Sequence, residues 1–277
     1  GRLQQRVGSS GRVYSFAASG APLSQYLAWA RHARETYRPD GLVIVVVGND
    51  FDESLASYKQ GPGFHHFYET GDGRLELRLV PYQRGVPSRI GSYSALLAYS
   101  IFHLHALEAP RKLKAILTNL RADPTPPPAP AGKTVTDENN APKYVGNTAA
   151  KSSDKRLADS KRAVDKFLEL LPVESGLPTD RIVIVMDPIR GAIYKPELYP
   201  VVGKSYFAQM RRYLAEQSSA LGITVVDLKG PMTEAFNRDR ERFSWQFDPH
   251  WNSRGHGVAA DAVAETSLFR SLFPEKR

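Results

Sequence analysis

Three short runs of branched apolar residues most constrain what this chain can fold into. They are "LVIVVVG" (Leu42–Gly48), "RIVIVMD" (Arg181–Asp187) and "GITVVDL" (Gly222–Leu228). Runs that are apolar at successive positions, rather than at alternate ones, are typical of strands buried on both faces of a parallel sheet. A weaker fourth run is "RVYSFAA" (Arg12–Ala18). The four runs therefore predict a parallel sheet in the interior of the fold.

Helical patterns lie between these runs. Four groups of apolar residues recur at helical spacing: Tyr26, Ala30, Ala33 and Tyr37; Leu157, Val164, Leu168 and Leu171; Phe207, Met210, Leu214 and Leu221; and Val258, Ala262, Phe269 and Phe273. Strands that alternate with helices predict an α/β fold with a mostly parallel sheet. Because 42% of the 277 residues are hydrophobic, the chain can bury one large core, and we expect a single domain over residues 1–277.

One long stretch, residues 51–153, interrupts the alternation and is interpreted as an insertion at one edge of the α/β core. Within it, residues 64–82 predict a β-hairpin, because "TGDG" supplies a turn and leucines then alternate with charged residues. Residues 92–118 predict a helix. Residues 121–142 are rich in proline and polar residues, which is typical of a flexible loop.

Composition excludes several classes of function. The chain has no cysteine, so it has neither disulfides nor thiolate metal sites nor a cysteine nucleophile. The net charge is +8, but the densest basic runs, 111–114 and 151–162, contain no aromatic residues for base stacking, and we expect no nucleic-acid partner. No apolar run reaches the roughly 18 residues of a membrane span.

The segment "FDPHWNSRGHGVAAD" (Phe247–Asp261) contains the clearest chemical motif. Asp248 and His250 are two residues apart, and in extended backbone such residues point to the same side, so the carboxylate can reach the imidazole. A carboxylate bonded to one ring nitrogen leaves the other as a general base. A metal site is disfavoured because His250 and His256 are six residues apart without a third ligand nearby. Helix capping by residues 252–253 is the remaining alternative, and His256 is interpreted as structural.

Two further candidates follow predicted strands. In open α/β sheets, sites form at the carboxyl ends of the strands. Gly20 follows the run at residues 12–18 and could expose a backbone N–H at a tight turn. Asn49 follows the run at residues 42–48, where its side-chain amide could donate a hydrogen bond to a developing oxyanion. Each residue alone is also compatible with a plain turn or cap.

Taken together, "FAASGAPLSQYL", "RPDGLVIVVVGNDF" and "DPHWNSRGH" resemble the SGNH (GDSL-like) hydrolase superfamily of esterases and lipases. The segments "RLADSKRAVDKFLELLP" and "RIVIVMDPIRGAIY" are similar to a bacterial subgroup of it. The resemblance implies a flavodoxin-like three-layer α/β/α fold, with Gly20 and Asn49 in the oxyanion hole, Asp248 as acid and His250 as base. The spacing departs from the family, which more often has D-x-x-H than D-x-H.

The sequence also contains no "GDS" tripeptide, which in this family carries the serine nucleophile after the first strand. We expect that first strand and its serine upstream of Gly1, because "GRLQQRV" resembles the end of the helix that follows them. Ser19 is the weaker alternative for the nucleophile. Three other serines are disfavoured: Ser9 and Ser10 precede a strand, and Ser205 is expected at a helix N-cap. Ser54 is expected at the carboxyl ends of the strands, where it could in principle reach the site.

These residues imply a serine-type ester hydrolase that acts through an acyl-enzyme on a small-molecule or carbohydrate ester, without a cofactor or metal. A first alternative is an O-acyltransferase or deacetylase of cell-envelope carbohydrate, in which a sugar hydroxyl replaces water. A second is a binding module of the same fold that lacks the nucleophile. The resemblance favours the bacterial envelope or periplasm, with membrane association through an upstream segment.

Overall fold

The computed structural model describes residues 1–82, 142–245 and 248–274. The predicted helix over 92–118 and nearly all of the predicted loop over 121–142 lie outside these ranges. The described residues up to Val80 and from Pro142 onwards belong to one compact unit. Among the described helices, none has the length and apolar character needed to cross a bilayer.

The helices and strands alternate along the described chain. The helices are α1 (Arg2–Val7), α2 (Leu23–Tyr37), α3 (Asp154–Ser175), α4 (Arg190–Tyr194), α5 (Tyr199–Val202), α6 (Tyr206–Ala220), α7 (Lys229–Asp239), α8 (Ser253–Ala264) and α9 (Ser267–Leu272). The strands are β1 (Leu42–Val46), β2 (His65–Glu69), β3 (Leu75–Leu79), β4 (Tyr144–Val145), β5 (Thr148–Ala149), β6 (Ile182–Met186) and β7 (Thr224–Asp227). Short 3-10 helices cover Asp52–Ser54, Thr179–Arg181 and Pro196–Leu198.

The central sheet is parallel, with the strand order β1-β6-β7. Leu42 pairs with Ile182, and Val183 pairs with Thr224. These strands are the three apolar runs of the sequence, so that prediction is confirmed. All five residues of β6 are buried, because β6 has a strand on each side and a helix layer on each face.

Helices cover both faces of the sheet, which gives the predicted three-layer α/β/α arrangement. On one face, Ile44, Ile184 and Met186 pack in a cluster with residues of α2, α3 and α6, among them Phe167 and Met210. On the other face, side chains of β6 pack with residues of α7, α8 and α9, for example Val183, Val185, Met232, Val263 and Leu268. The alternate direction of side chains along β6 explains why one strand serves both clusters.

The predicted strand at Arg12–Ala18 is wrong: these residues form no strand in the structure. A strand needs a hydrogen-bonded neighbour, and within the described residues β1 pairs only with β6. On one face of β1, next to this open edge, the apolar residues Val43 and Val45 remain 36% and 39% exposed to solvent. The apolar character of Arg12–Ala18 was therefore insufficient to make it part of the sheet.

The last predicted helix is two helices. The chain leaves α8 after Ala264, and Thr266 begins α9 by accepting a hydrogen bond from Phe269 N at 3.2 Å. The Thr266 hydroxyl also donates to Val263 O at 2.7 Å, so one side chain satisfies backbone groups of both helices. The apolar spacing continues through this break, and periodicity alone could not reveal it.

Two small antiparallel elements lie beside the core. In β2–β3, His65 pairs with Leu79 and Glu69 pairs with Leu75. This hairpin contacts α2, where the Ser24 hydroxyl donates to His65 O at 2.7 Å. The β4–β5 turn pairs Tyr144 with Ala149 and packs behind the residues that follow β1. Both elements thereby fix the loop at the carboxyl end of β1.

Candidate active site

Asp248 and His250 are in direct contact. Oδ1 of Asp248 accepts a hydrogen bond from His250 N at 2.8 Å and is also bonded to Nδ1 of the same imidazole. Residue 250 lies in a bend, so an Asx-type turn brings the two side chains together rather than the same-side geometry of an extended strand. The carboxylate fixes the ring through Nδ1, which leaves Nε2 for proton transfer.

The pair is open to solvent. The side chains of His250 and Asp248 are 71% and 53% exposed. The backbone N–H of His250 and then its imidazole lower the pKa of the Asp248 carboxyl below its ordinary value. Asp248 is therefore ionised at neutral pH and can stabilise a positive charge on the imidazole.

The residues after the pair begin α8. Asn252 is the N-cap: its Oδ1 accepts hydrogen bonds from the backbone N–H groups of Arg254 and Gly255, both at 3.0 Å. The predicted cap is therefore confirmed and coexists with the Asp248–His250 contact. His256 is exposed and lies edge-on to the Trp251 ring, with 5.6 Å between ring centroids.

The loop reaches the carboxyl end of the central sheet through Trp251. Its indole Nε1–H donates to Oδ1 of Asp187 at 2.8 Å. Asp187 directly follows β6, and its own backbone N–H donates to Val46 O at the end of β1. Asp187 and Trp251 were not among the predicted site residues, although an aspartate directly after a buried strand is the type of signal that could have indicated the first of them.

Gly20 lies in a tight turn, where Ala21 N donates to Ala18 O at 3.2 Å. Its φ of +76° is in the left-handed region, which favours glycine. Lys59 Nζ donates to Gly20 O at 3.3 Å. This turn precedes α2, whose first residue, Leu23, donates its backbone N–H to Asp50 O at 3.3 Å. The turn is therefore attached to the loop after β1.

Asn49 is the third residue after β1, and one hydrogen of its amide is already used. Asn49 Nδ2 donates to Oε2 of Glu53 at 3.1 Å. The same carboxylate forms an ion pair with Lys59, which also bonds to Gly20. Gly20 and Asn49 thus belong to one network. Within the described residues, no hydrogen bond joins this network to Asp248 or His250.

Asp50, next to Asn49, is a buried carboxylate that sequence reasoning did not single out. Its Oδ2 accepts hydrogen bonds from Tyr26 Oη at 3.0 Å and from Val47 N at 2.9 Å. Oδ1 is buried and has no hydrogen-bond partner within the described residues. Burial raises the pKa of Asp50 to about 8, so the side chain can carry a proton at neutral pH while it closes the turn.

The serines differ in their availability. Ser19 is exposed in the turn before Gly20, while Ser9 and Ser10 are exposed at the end of α1. Ser54 is buried, and its hydroxyl donates to Asp50 O at 2.6 Å, so it is not a free nucleophile. Ser205 is a helix N-cap, as predicted, and accepts from Ala208 N.

Within residues 1–82, 142–245 and 248–274, no group of three or more His, Asp or Glu side chains has the arrangement of a metal site. The carboxylates of Asp187 and Asp248 and the imidazole of His250 are bonded to protein groups. The chemistry that this arrangement can perform is proton transfer by His250, with Asp248 orienting the ring.

Comparison with protein families matches residues 145–274 to the model described as "SGNH hydrolase-like domain, acetyltransferase AlgX". The matched region contains Asp187, Asp248 and His250 but neither Gly20 nor Asn49. Searches of curated proteins and of solved structures found no significant match. The match agrees with the parallel sheet flanked by helices and with the sequence motifs. Residues 145–274 of this chain are therefore similar to SGNH hydrolase-like domains.

Proposed function

We propose that the chain performs acyl transfer at an ester and that it moves an acetyl group onto a carbohydrate hydroxyl. The observation that carries the proposal is the Asp248–His250 pair, which is hydrogen-bonded, exposed to solvent and attached to the carboxyl end of a parallel sheet. The name of the matching family, an acetyltransferase, favours acetyl transfer as the reaction.

Each residue has a distinct role in this proposal. His250 is the general base and acid at Nε2, and Asp248 holds the ring through Nδ1 and stabilises the imidazolium. The Gly20 N–H and the second amide hydrogen of Asn49 donate to the oxyanion. Glu53, which accepts the first amide hydrogen of Asn49, orients that side chain.

The reaction has two half-reactions. A serine Oγ attacks the acyl carbon of the donor ester while Nε2 of His250 accepts the serine proton, and the donor alcohol leaves with that proton. The acceptor hydroxyl then gives its proton to Nε2 and attacks the acyl-enzyme. The new ester forms as the serine oxygen leaves and takes the proton back.

The nucleophile of the proposed reaction is a serine, as the resemblance to the family implies. Ser19 is the candidate within the described residues, since it is exposed next to Gly20. A fluorophosphonate probe applied to the complete protein, followed by peptide mass spectrometry, identifies the reactive serine. A label on Ser19 assigns the role to that residue, and a label on another serine rejects Ser19.

The function is tested with p-nitrophenyl acetate as donor and an added oligosaccharide as acceptor. We expect release of p-nitrophenol and a mass increase of the oligosaccharide by one acetyl group. His250→Ala should lower kcat/KM by at least about 100-fold, because it removes the proton-transfer group. His32→Ala is the control: it removes another exposed imidazole, on α2, and should leave the rate unchanged.

Ester hydrolysis is the second candidate and uses the same residues, with water in place of the sugar hydroxyl. Release of p-nitrophenol that does not depend on the oligosaccharide, without acetylated product, would assign hydrolysis instead of transfer. Equal rates for the wild type and His250→Ala would refute both reactions and would favour a non-catalytic binding module.

A further inference from the structure

Trp251 links the loop that carries the Asp248–His250 pair to the middle strand of the sheet. The indole Nε1–H donates to Oδ1 of Asp187 at 2.8 Å, across 64 residues of sequence. The position of the acceptor is fixed by the sheet, because Asp187 N donates to Val46 O at 3.1 Å. The residue directly after His250 is thereby attached to the most buried strand of the fold.

The acceptor is a buried carboxylate with two side-chain donors. The Asp187 side chain is 3% exposed, and its other oxygen accepts a hydrogen bond from the Arg190 guanidinium at 3.4 Å. Burial raises the pKa of Asp187, and the Arg190 charge opposes that rise. A hydrogen bond to a buried carboxylate is strong and costly to break, because the acceptor would be left without a partner. The indole therefore has one strongly preferred position.

Few other contacts hold the pair in place. Both bonds between Asp248 and His250 are local, and within the described residues neither side chain bonds to any other element. The residues that follow the pair are held by an isolated bridge between Ser244 and Trp251, by the bond from Asn252 N to Phe243 O at 2.9 Å, and by the Asn252 side chain, which donates to two nearby carbonyl groups. The direction in which His250 presents Nε2 thus depends on where Trp251 is fixed.

Close packing against Gly255 also restricts the position of Trp251. A Cβ on Gly255 would lie 3.0 Å from Cβ of Trp251 and 2.9 Å from Phe243 O. The absence of a side chain at Gly255 lets the first turn of α8 pass close to Trp251. Trp251 is therefore held by the polar bond of its indole N–H and by close packing near its Cβ.

We propose that Asp187 and Trp251 are positioning residues for His250. Asp187 holds the indole N–H, the indole fixes the start of α8, and the imidazole is thereby held at the carboxyl end of the sheet. The inference rests on the proposed function for the role of His250, but the geometric claim can be tested without any activity.

The first measurement is NMR of the imidazole nitrogens in the complete protein. Trp251→Phe keeps an aromatic ring in place but removes the N–H donor. We expect this variant to shift or broaden the His250 ¹⁵N signals, because the segment that carries His250 loses its attachment to Asp187, while His32 on α2 serves as the unaffected reference. The thermal midpoint should fall, because the buried Asp187 carboxylate loses a donor, but the variant should still fold, because the ring still packs.

The second measurement is the acetyl-transfer rate. Trp251→Phe should lower kcat by about 10- to 100-fold with little change in KM, because a small displacement of a catalytic group slows the reaction more than it weakens substrate binding. Asp187→Asn keeps an acceptor for the indole and should retain more activity than Asp187→Ala.

Unchanged His250 signals in Trp251→Phe would overturn the inference, whatever the rates are. If the wild type transfers no acetyl group but the His250 signals do change, the proposed function fails and the positioning role stands. If Asp187→Ala does not fold, Trp251→Phe still decides the question.

Discussion

The backbone of Gly48 lies so close to Gly146 that a Cβ on Gly48 would be 1.7 Å from the Gly146 carbonyl oxygen. Gly146 cannot move away, because the Phe207 ring lies directly behind it: a Cβ added to Gly146 would be 2.0 Å from that ring. The β4–β5 turn is thus held between α6 and the residue that precedes Asn49. This contact defines the position of the loop after β1.

Gly48→Ala should therefore be strongly destabilising. An added methyl group has to displace either the β4–β5 turn or the loop that carries Asn49, which should cost at least about 2 kcal/mol of unfolding free energy. Gly257→Ala is the control, because the Cβ position at Gly257, within α8, has no neighbour within 4 Å. The control should gain roughly 0.5–1 kcal/mol in urea unfolding. Equal stability of the two variants would contradict the contact.

Arg156 should be the most sensitive charged residue of α3. Its Nε donates to Oδ2 of Asp52 at 2.8 Å, and its guanidinium lies 3.5 Å from the centre of the Tyr206 ring. The Arg156 and Asp52 side chains are only 14% and 10% exposed. Arg156→Ala leaves a buried carboxylate without its partner and should cost about 3–5 kcal/mol.

Two further substitutions test whether the buried ion pair causes that loss of stability. Arg156→Lys should recover only part of the loss, because an ammonium cannot reproduce the planar set of donors that also reaches Ala149 O and Thr148 Oγ1. Lys155→Ala, at the neighbouring position, removes a side chain that is 81% exposed and should change stability by about 0.5 kcal/mol or less. Chemical denaturation of the three variants measures these differences. A loss in Lys155→Ala as large as in Arg156→Ala would show that burial of the ion pair is not the cause.

His66 should make stability depend on pH. The ring is fully buried, with Nε2 accepting from Gly61 N at 2.9 Å and Nδ1 donating to Glu53 O at 2.8 Å. Burial lowers the pKa of His66, so the unfolded chain takes up a proton at a higher pH than the folded one does. The stability that His66 contributes is present above its ordinary pKa of 6.5 and is lost as pH falls through the lower folded-state value.

The measurement is the unfolding free energy of the wild type and of His66→Gln at pH 7 and pH 5. We expect the difference between the two proteins to shrink at pH 5. His32→Gln, which changes an exposed imidazole, is measured alongside as the control for loss of a histidine at the surface. A constant difference for His66→Gln would mean that the buried ring takes up its proton without penalty.

Asn252 should contribute to both stability and the order of the loop that carries Asp248 and His250. Its Oδ1 caps α8, while its Nδ2 donates to Arg242 O at 3.0 Å and to Ser244 O at 3.3 Å. Asn252→Ala should cost about 1–2 kcal/mol, since a cap and two loop contacts are lost. Asn252→Asp keeps the cap acceptor but not the donors.

We therefore expect Asn252→Asp to be more stable than Asn252→Ala, while both lose the proposed acetyl-transfer activity. Thermal melts and initial rates, measured on the same preparations, separate the two effects. Full activity in Asn252→Asp would show that the donors to the Arg242 and Ser244 carbonyl groups do not order the loop.

Much of the architecture could be predicted from sequence because it depends on local patterns. Continuous apolar runs predicted β1, β6 and β7, and apolar residues at helical spacing predicted α2, α3 and α6. The caps at Asn252 and Ser205 were predictable because a cap needs only a suitable side chain three or fewer residues away. The Asp248–His250 contact belongs to the same class, since it joins residues two positions apart.

Tertiary structure decided what depends on neighbours distant in sequence. Arg12–Ala18 has the composition of a strand but no partner within the described residues, and it stays outside the sheet. The sequence predicted that Asn49 follows a strand and carries a free side-chain amide. Only the fold shows that Glu53 accepts one of the amide hydrogens. The bond between Trp251 and Asp187 spans 64 residues. Side-chain preferences act over one or two turns of chain, whereas hydrogen-bond partners of this kind are set by packing, which no local pattern encodes.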